Sequence, residues 1–341
     1  MKAVVYHGPN DLRLEDRQIP EIKFDEALLR VLSACICGTD LRILHGNHRL
    51  YPPGTIRIPG HEVVGELVKL GSQVSGLQTG QRVFVAPNMG CGHCPQCVSG
   101  NNNLCKDYIA IGLTMDGAFA EYMVIPTETI RQGNLIPVNR QSDPAVTALI
   151  EAFACVLRGQ DAVNVHTGDN VLVVGAGPIG IMHAILASFR GASKVMISEL
   201  IPERAHQAQL LGFEHVLCPA QENPVLVVAE LTGGNGADVV IVAAPSPQAQ
   251  EEACQLAAIR GRINFFGGLP KDRPTISLDS NLVHYKELMV TGTTACSTND
   301  CWRAAKILNS GRIDLSKIIT NRYTLDQLDE AFFCSGRPEG A

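Results

Sequence analysis

The sequence predicts a two-domain α/β protein in which a small, strand-rich barrel precedes a doubly wound parallel sheet. Three observations lead there. At 341 residues the chain is longer than one ordinary core accommodates. Its first third alternates short β-branched runs with turn formers. From about residue 168 the rhythm changes to apolar strands alternating with helices, the pattern of a sheet covered on both faces.

The strands of the first domain read as Val4-Val5-Tyr6, Ala27-Leu28-Leu29-Arg30-Val31, Val63–Val68 and Arg82-Val83-Phe84-Val85, separated by Pro20, Gly71, Gly76, Gly80 and Pro87. The second series opens with the apolar run Val171–Val174. A glycine-rich turn and a helical stretch through Ala187 follow, then a strand at Lys194–Ile197 and a helix over Pro202–Leu211. Val216-Leu217, Asp238–Val242 and Arg262–Phe266 continue the strands. There is no internal repeat and no low-complexity linker, and the boundary falls near residue 150.

Composition narrows the function. Apolar residues make up 45% and charged residues 18%, which suits a folded core. A net charge of −6 argues against binding nucleic acid, whose phosphates need a basic face. No apolar run is long enough for a spanning helix. The amino terminus reaches His7 and Asp11 before any long apolar stretch, so it does not read as a secretory leader and a cytoplasmic location is expected. Twelve cysteines in such a chain point to metal binding in a reducing compartment rather than to a disulfide framework.

Gly175-Ala176-Gly177-Pro178-Ile179-Gly180 fits G-x-G-x-x-G between a strand and a helix. Gly175 permits the tight turn, Gly177 lets backbone approach a pyrophosphate, and Gly180 lets helix and strand pack. The helix amino terminus offers free N–H groups to the phosphates. Glu199 ends the next strand, where its carboxylate can accept from ribose hydroxyls and repel a 2′-phosphate, so NAD is expected over NADP. Arg204, close by, can stack on adenine or reach a phosphate.

Cys91, Cys94, Cys97 and Cys105 follow the spacing C-x2-C-x2-C-x7-C. Four thiolates this close can enclose one tetrahedral zinc and leave no open position, so the lobe at 88–107 reads as a structural site. His93 competes as a ligand, and an iron–sulfur cluster or a zinc ribbon for nucleic acid are the alternatives. A second donor set is Cys37 in Cys-Gly-Thr-Asp and His61-Glu62 after Gly60. These offer sulfur, nitrogen and oxygen, and three protein ligands plus an exchangeable water make a catalytic zinc. Glu151 is a second carboxylate that either replaces Glu62 or bonds the zinc water. Asp40 can accept the other ring N–H of His61. Cys35, two residues before Cys37, is expected to point away.

These motifs occur in the order seen in zinc-containing medium-chain dehydrogenases, and the sequence resembles that family over nearly its whole length. Lys2-Ala3-Val4, Gly117–Tyr122 and Gly236–Val240 resemble further family segments, most nearly those of the polyol (sorbitol-like) and threonine dehydrogenase branches. The resemblance implies a GroES-like β-barrel catalytic domain (1–150 and 296–341) and a Rossmann doubly wound parallel-sheet domain that binds NAD (151–295). It implies one catalytic and one structural zinc per chain. It assigns Cys37, His61 and Glu62 to the catalytic zinc, with Glu151 at or near it, and makes Thr39 the acceptor of the alcohol proton. Ile179, Glu199 and Arg204 would hold NAD, and Phe266-Gly267-Gly268 and Thr293-Thr294 would approach the nicotinamide half. A homodimer or homotetramer is expected.

Two departures stand out. Arg42 occupies a position where many relatives carry the histidine that ends the proton relay, and arginine is a poor proton acceptor; either His45 or His48 substitutes, or the cofactor ribose passes the proton directly to water. The chain also stops at Pro338-Glu339-Gly340-Ala341 without the Lys-Val-Val-like strand usual after a glycine, which reads as a short or truncated terminus. The expected reaction is hydride transfer between NAD and a secondary alcohol or its ketone: a polyol, sugar alcohol or sugar acid, or alternatively L-threonine. Arg42, His45, His48 and Arg49 add a cationic segment that would suit a sugar acid or phosphorylated polyol. The rival readings are a zinc-free quinone reductase and a zinc-stabilised binding protein without catalysis.

Overall fold

The computed structural model describes residues 1–335; the four closing residues of the departing carboxyl terminus lie outside them. Met1–Ala154 and the segment from Ala295 onward form one compact unit, and Cys155–Thr294 form the other.

In the first unit β1 (Lys2–Gly8) and β2 (Asp11–Asp16) make an antiparallel hairpin that turns at Asn10, whose φ is 58°. β3 (Ala27–Cys35) is followed by helix α1 (Gly38–Leu44), then β4 (Glu62–Leu70) and β5 (Arg82–Val85). A short ribbon of β6 (Asn88–Met89) and β7 (Ile109–Ala110) flanks α2 (Pro95–Val98). β8 (Tyr122–Ile125), α3 (Thr127–Arg131), β9 (Leu135–Pro137), α4 (Pro144–Ala148) and the start of α5 (Ile150–Ala162) complete this part. The strands form an antiparallel sheet in the order β8-β3-β4-β5-β9. Leu29, Val63, Leu67, Val83 and Val85 fill its core, all fully buried. The pairing of β3 with β4 runs out at Cys35↔Glu62. Because the two strands are antiparallel, the end of one and the beginning of the other share an edge of the sheet. Cys37 and His61, far apart in sequence, therefore leave the sheet side by side.

The second unit carries β10 (Asn170–Val174), α6 (Pro178–Phe189), β11 (Lys194–Ser198), α7 (Pro202–Leu210), β12 (His215–Leu217), α8 (Pro224–Leu231), β13 (Ala237–Val242), α9 (Pro247–Leu256), β14 (Ala257–Phe265), α10 (Ser280–Tyr285) and β15 (Met289–Gly292). All strand pairs are parallel, in the order β12-β11-β10-β13-β14-β15. Counted within the unit this is 3-2-1-4-5-6, so the order reverses between β10 and β13, where such sheets bind ligands. Val171, Leu172, Val173, Val239, Val240 and Ile241 are all inaccessible to solvent, as a sheet covered on both faces requires. Helices α6 to α9 each open on a proline, at the one helical position where the missing N–H costs nothing. β14 begins at Ala257, five residues ahead of the run read from sequence, because a register shift with β13 and Arg260 at φ 60° interrupt its pattern.

The chain then returns to the first unit with α11 (Thr298–Asn309) and α12 (Leu328–Ser335). Asn102 ties α11 to the cysteine lobe: its Oδ1 accepts from the Thr298 backbone N–H at 3.0 Å and its Nδ2 donates to the Asn88 carbonyl at 2.7 Å. Phe332 of α12 packs edge-on against Phe119 at 6.0 Å. Among the described residues, no helix is long and apolar enough to cross a membrane.

Candidate active site

The donor atoms of Cys37, His61 and Glu62 lie within 4.8 Å of one another. Cys37 caps the amino end of α1, and its backbone N–H donates to Asp40 Oδ2 at 2.9 Å. This fixes the turn that aims the thiol. Thr39 is the second residue of α1 and half-buried. Asp40, His61 and Glu62 are nearly inaccessible. Asp40 Oδ1 stands 3.6 Å from His61 Nδ1, too far for the hydrogen bond expected between them, so the contact is electrostatic. Burial opposes the imidazolium, but the Asp40 carboxylate outweighs it and holds the His61 pKa well above its usual value. Burial raises the Cys37 thiol, and the Glu62 carboxylate adds to the effect. The same desolvation, reinforced by the Glu151 carboxylate, pushes Glu62 up to about 8. A buried carboxylate and a buried thiol that resist ionisation side by side, with a second carboxylate close by, are what a cation would relieve. The donor set fits zinc in both chemistry and spacing. Cys35 departs from the set, with its Sγ 3.9 Å from the Ala145 carbonyl.

The four lobe cysteines also bring their sulfurs within 4.8 Å of one another. Cys94 Sγ is 3.5 Å from Cys97 Sγ and 3.8 Å from Cys105 Sγ. The backbone N–H groups of His93 and Cys94 point at Cys91 and lower its thiol to about 6. His93 turns its Nδ1 to the Cys91 carbonyl, 2.9 Å away. The sulfurs fit a closed tetrahedral shell.

In the second unit, Gly175 follows β10 with φ 107°, and its N–H donates to the Ser198 carbonyl at 2.7 Å. Gly177 caps α6, and a Cβ there would meet no protein atom within 4 Å. A Cβ on Gly180 would instead fall 1.8 Å from the Gly175 carbonyl oxygen. Pro178 and Ile179 open α6 beside the turn. Glu199 is buried, and its two carboxylate oxygens accept from Ala176 N–H at 2.6 Å and Ile201 N–H at 2.9 Å. Each oxygen keeps a lone pair for a further donor. Arg204 sits on the first turn of α7. Phe266 and Gly267 continue β14, their N–H groups donating to the Val242 carbonyl at 3.1 and 2.9 Å. Thr293 and Thr294 follow β15.

Residues 23–138 match the family model described as the alcohol dehydrogenase GroES-like domain, and residues 178–310 match that of the zinc-binding dehydrogenase. L-Threonine 3-dehydrogenase of Pyrococcus furiosus is 34% identical over 328 residues, covering 94% of this chain and 90% of that protein. A zinc-binding dehydrogenase from Sinorhizobium meliloti, solved with NADP bound, has a TM-score of 0.90 at 30% identity and covers 100% of this chain and 96% of its own. Galactitol-1-phosphate dehydrogenase from Escherichia coli has a TM-score of 0.89 at 25% identity, covering 99% and 98%. The chain belongs to the zinc-containing medium-chain dehydrogenase family.

This dehydrogenase combines the GroES-like and Rossmann folds of its family, acts on small molecules, and uses zinc and a nicotinamide cofactor. Some of its residues escaped the sequence reading. Asn264 lies inside β14, fully buried, and its Nδ2 donates to Gly159 O at 2.7 Å and Thr293 Oγ1 at 3.2 Å. It thereby orients Thr293. A lone asparagine within Ile263-Asn264-Phe265-Phe266 was the available signal. Cys296, which reaches Glu151, gave no signal, because no local pattern relates positions so distant in sequence. Of the two histidines that could replace the relay, His45 turns to Asn10 Oδ1 at 2.9 Å, whereas His48 is half-buried and accepts the Leu50 N–H on Nδ1 at 3.3 Å.

Proposed function

We propose that this enzyme oxidises a small secondary alcohol with NAD at a zinc ion held by Cys37, His61 and Glu62, with Glu151 beside it. The observation that carries the reading is the convergence of those three donors on one buried point, with a second carboxylate raising the charge there. A second zinc in the Cys91–Cys105 lobe is structural. When bound, zinc acidifies an alcohol hydroxyl and polarises a ketone, and nicotinamide accepts or returns a hydride.

The protein's own residues supply the rest. The Thr39 hydroxyl accepts the substrate proton, and Asp40 fixes the turn on which Thr39 rides. Arg42 stays protonated and cannot take the proton onward; His48, neutral with its pKa lowered to about 4 by burial and then Arg42, is the imidazole that remains near this path. The N–H groups at the start of α6 receive the pyrophosphate over Gly177. Glu199 accepts from the ribose hydroxyls and disfavours a 2′-phosphate, which supports NAD over NADP. Phe266, Gly267, Thr293 and Thr294 serve the nicotinamide half, with Thr293 held by Asn264. Edge strand β15 leaves Met289 exposed, and the neighbouring Tyr285 is exposed too; this edge supports self-association into a dimer or tetramer. A cytoplasmic location fits the cysteine content.

The substrate is a polyol, sugar alcohol or sugar acid in the first reading. L-Threonine is the second, favoured by the threonine dehydrogenase with 34% identity. An NAD-coupled screen across polyols, sugar acids, simple secondary alcohols and threonine, with zinc quantified in the same sample, separates them. NADH formation with about two zinc ions per chain supports the proposal. A zinc-free protein active on quinones would overturn it.

A further inference from the structure

The segment that leads into α11 carries a thiol that touches the catalytic carboxylate and has no part in the ligand sets above. Cys296 is fully buried, and its Sγ donates to Glu151 Oε1 at 3.5 Å. The same sulfur accepts from Asn88 Nδ2 at 3.7 Å, and that amide also donates to the Cys296 carbonyl at 2.8 Å. Amide, sulfur and carboxylate form a chain in which each donor meets an acceptor.

Local preference does not place Cys296 there. Ala295, just before it, has φ 52°, a left-handed conformation that is unfavourable for alanine and persists only where surrounding contacts impose it. Those contacts come from the cysteine lobe and its border. The Tyr108 hydroxyl donates to Asn88 Oδ1 at 2.6 Å, and Asn102 Nδ2 donates to the Asn88 carbonyl at 2.7 Å. Asn102 stands between Cys97 and Cys105 and also accepts the N–H of Thr298, two residues beyond Cys296, at 3.0 Å. A glutamate side chain is flexible, and a hydrogen bond to one oxygen narrows the orientations open to its carboxylate.

We infer that Cys296 is a positioning residue: its S–H holds the Glu151 carboxylate, and the lobe holds Cys296 through Asn88 and Asn102. The inference rests on the reading that Glu151 serves the catalytic centre. It gives the lobe a part in the reaction beyond its own stability. The competing account is that Cys296 and Cys301, both buried with their sulfurs 3.5 Å apart, only pack the first turn of α11.

Infrared difference spectra of the holoenzyme test the contact. The parent minus Cys296→Ser spectrum isolates the S–H stretch of Cys296. Glu151→Gln, which replaces the carboxylate by a weaker acceptor, should move that band to higher frequency. An unmoved band, or no band because the thiol is ionised, overturns the inference. The band reports on the hydrogen bond whatever the metal content, so its failure is distinct from failure of the catalytic reading, which Cys37→Ser tests. NADH formation from sorbitol and from L-threonine then tests the positioning. Cys296→Ala should lower kcat about tenfold, the worth of a hydrogen bond to a charged group, with KM for NAD unchanged. Cys296→Ser keeps a donor and should recover most of the loss. Apolar packing predicts the reverse order, since a buried hydroxyl is worse there than a methyl group. Parental kcat in Cys296→Ala, or a serine variant no better than alanine, overturns the positioning role. Should the alanine variant not fold, the Cys296→Ser and Glu151→Gln spectra still decide.

Discussion

Cys37, His61 and Glu62 each have an ordinary explanation alone, and their meaning lies in the distance between them. A thiol and two carboxylates held out of water without a cation would cost several kcal/mol in desolvation, and the raised pKa values of Cys37 and Glu62 express that cost. Zinc acting as a Lewis acid contributes several kcal/mol to transition-state stabilisation, about two orders of magnitude or more in rate. Cys37→Ser should therefore lower kcat/KM by at least that factor while leaving the far-ultraviolet circular dichroism and the lobe zinc in place. Near-parental turnover would remove Cys37 from the catalytic set. Glu199 tests the other ligand. Because its carboxylate also anchors Ala176 and Ile201, Glu199→Ala will loosen the glycine turn for both cofactors. The informative quantity is the ratio of kcat/KM for NAD to that for NADP, which uniform loosening does not change. It should fall about tenfold or more, the worth of a charge-assisted hydrogen bond. An unchanged ratio would show that Glu199 does not read the ribose.

At the scale of elements, the glycine turn between β10 and α6 separates two roles that sequence alone merges. Gly180 faces protein: a methyl group there would overlap the Gly175 carbonyl. Gly177 faces open space, with φ −66° that alanine adopts freely. Gly180→Ala should thus lower the melting temperature of the protein without cofactor, by the 1–3 kcal/mol or so that overpacking costs. Gly177→Ala should leave melting unchanged and weaken NAD binding, as measured by titration of the free enzyme. If both variants behave alike, the turn does not divide its glycines this way. The same comparison shows what was readable beforehand. The strands flanking the turn were legible because a parallel sheet buries both faces and leaves continuous apolar runs. β2, with polar residues along Asp11–Asp16, and the short β6, β7, β9 and β12 carry little such signal, and of these only the last was anticipated. The pairs Cys37–Thr39 and His61–Glu62 were recognisable from donor chemistry and family order. That they share one sheet edge follows from the β3–β4 register, a long-range pairing with no local trace. Cys296 beside Glu151 is of the same kind, fixed by where α11 returns.

For the whole molecule, stability against acid should carry the mark of one buried side chain. His183 lies on α6, wholly inaccessible, edge-on to the Phe266 ring at 4.7 Å, and neither ring nitrogen has a hydrogen-bond partner. Burial, with Arg190 adding to it, lowers its pKa to about 3. In the unfolded chain it titrates near 6.5. Above that value both states are neutral at this site and the group contributes no pH dependence. Between about 6.5 and 3 the unfolded chain binds a proton that the folded protein refuses. Stability therefore falls as pH drops through this window, by up to about 1.4 kcal/mol per pH unit. From pH 7.5 to pH 5 that amounts to about 2 kcal/mol. Replacing His183 by leucine, similar in volume and without charge, removes the term while keeping the packing against Phe266. Other acid-sensitive groups, the metal ligands among them, act equally on parent and variant, so the difference between the two isolates His183. Denaturant midpoints at pH 7.5 and pH 5 should show the parent losing about 2 kcal/mol more than His183→Leu. Parallel losses would mean that His183 takes up its proton in the folded protein, and that the space between α6 and β14 admits water.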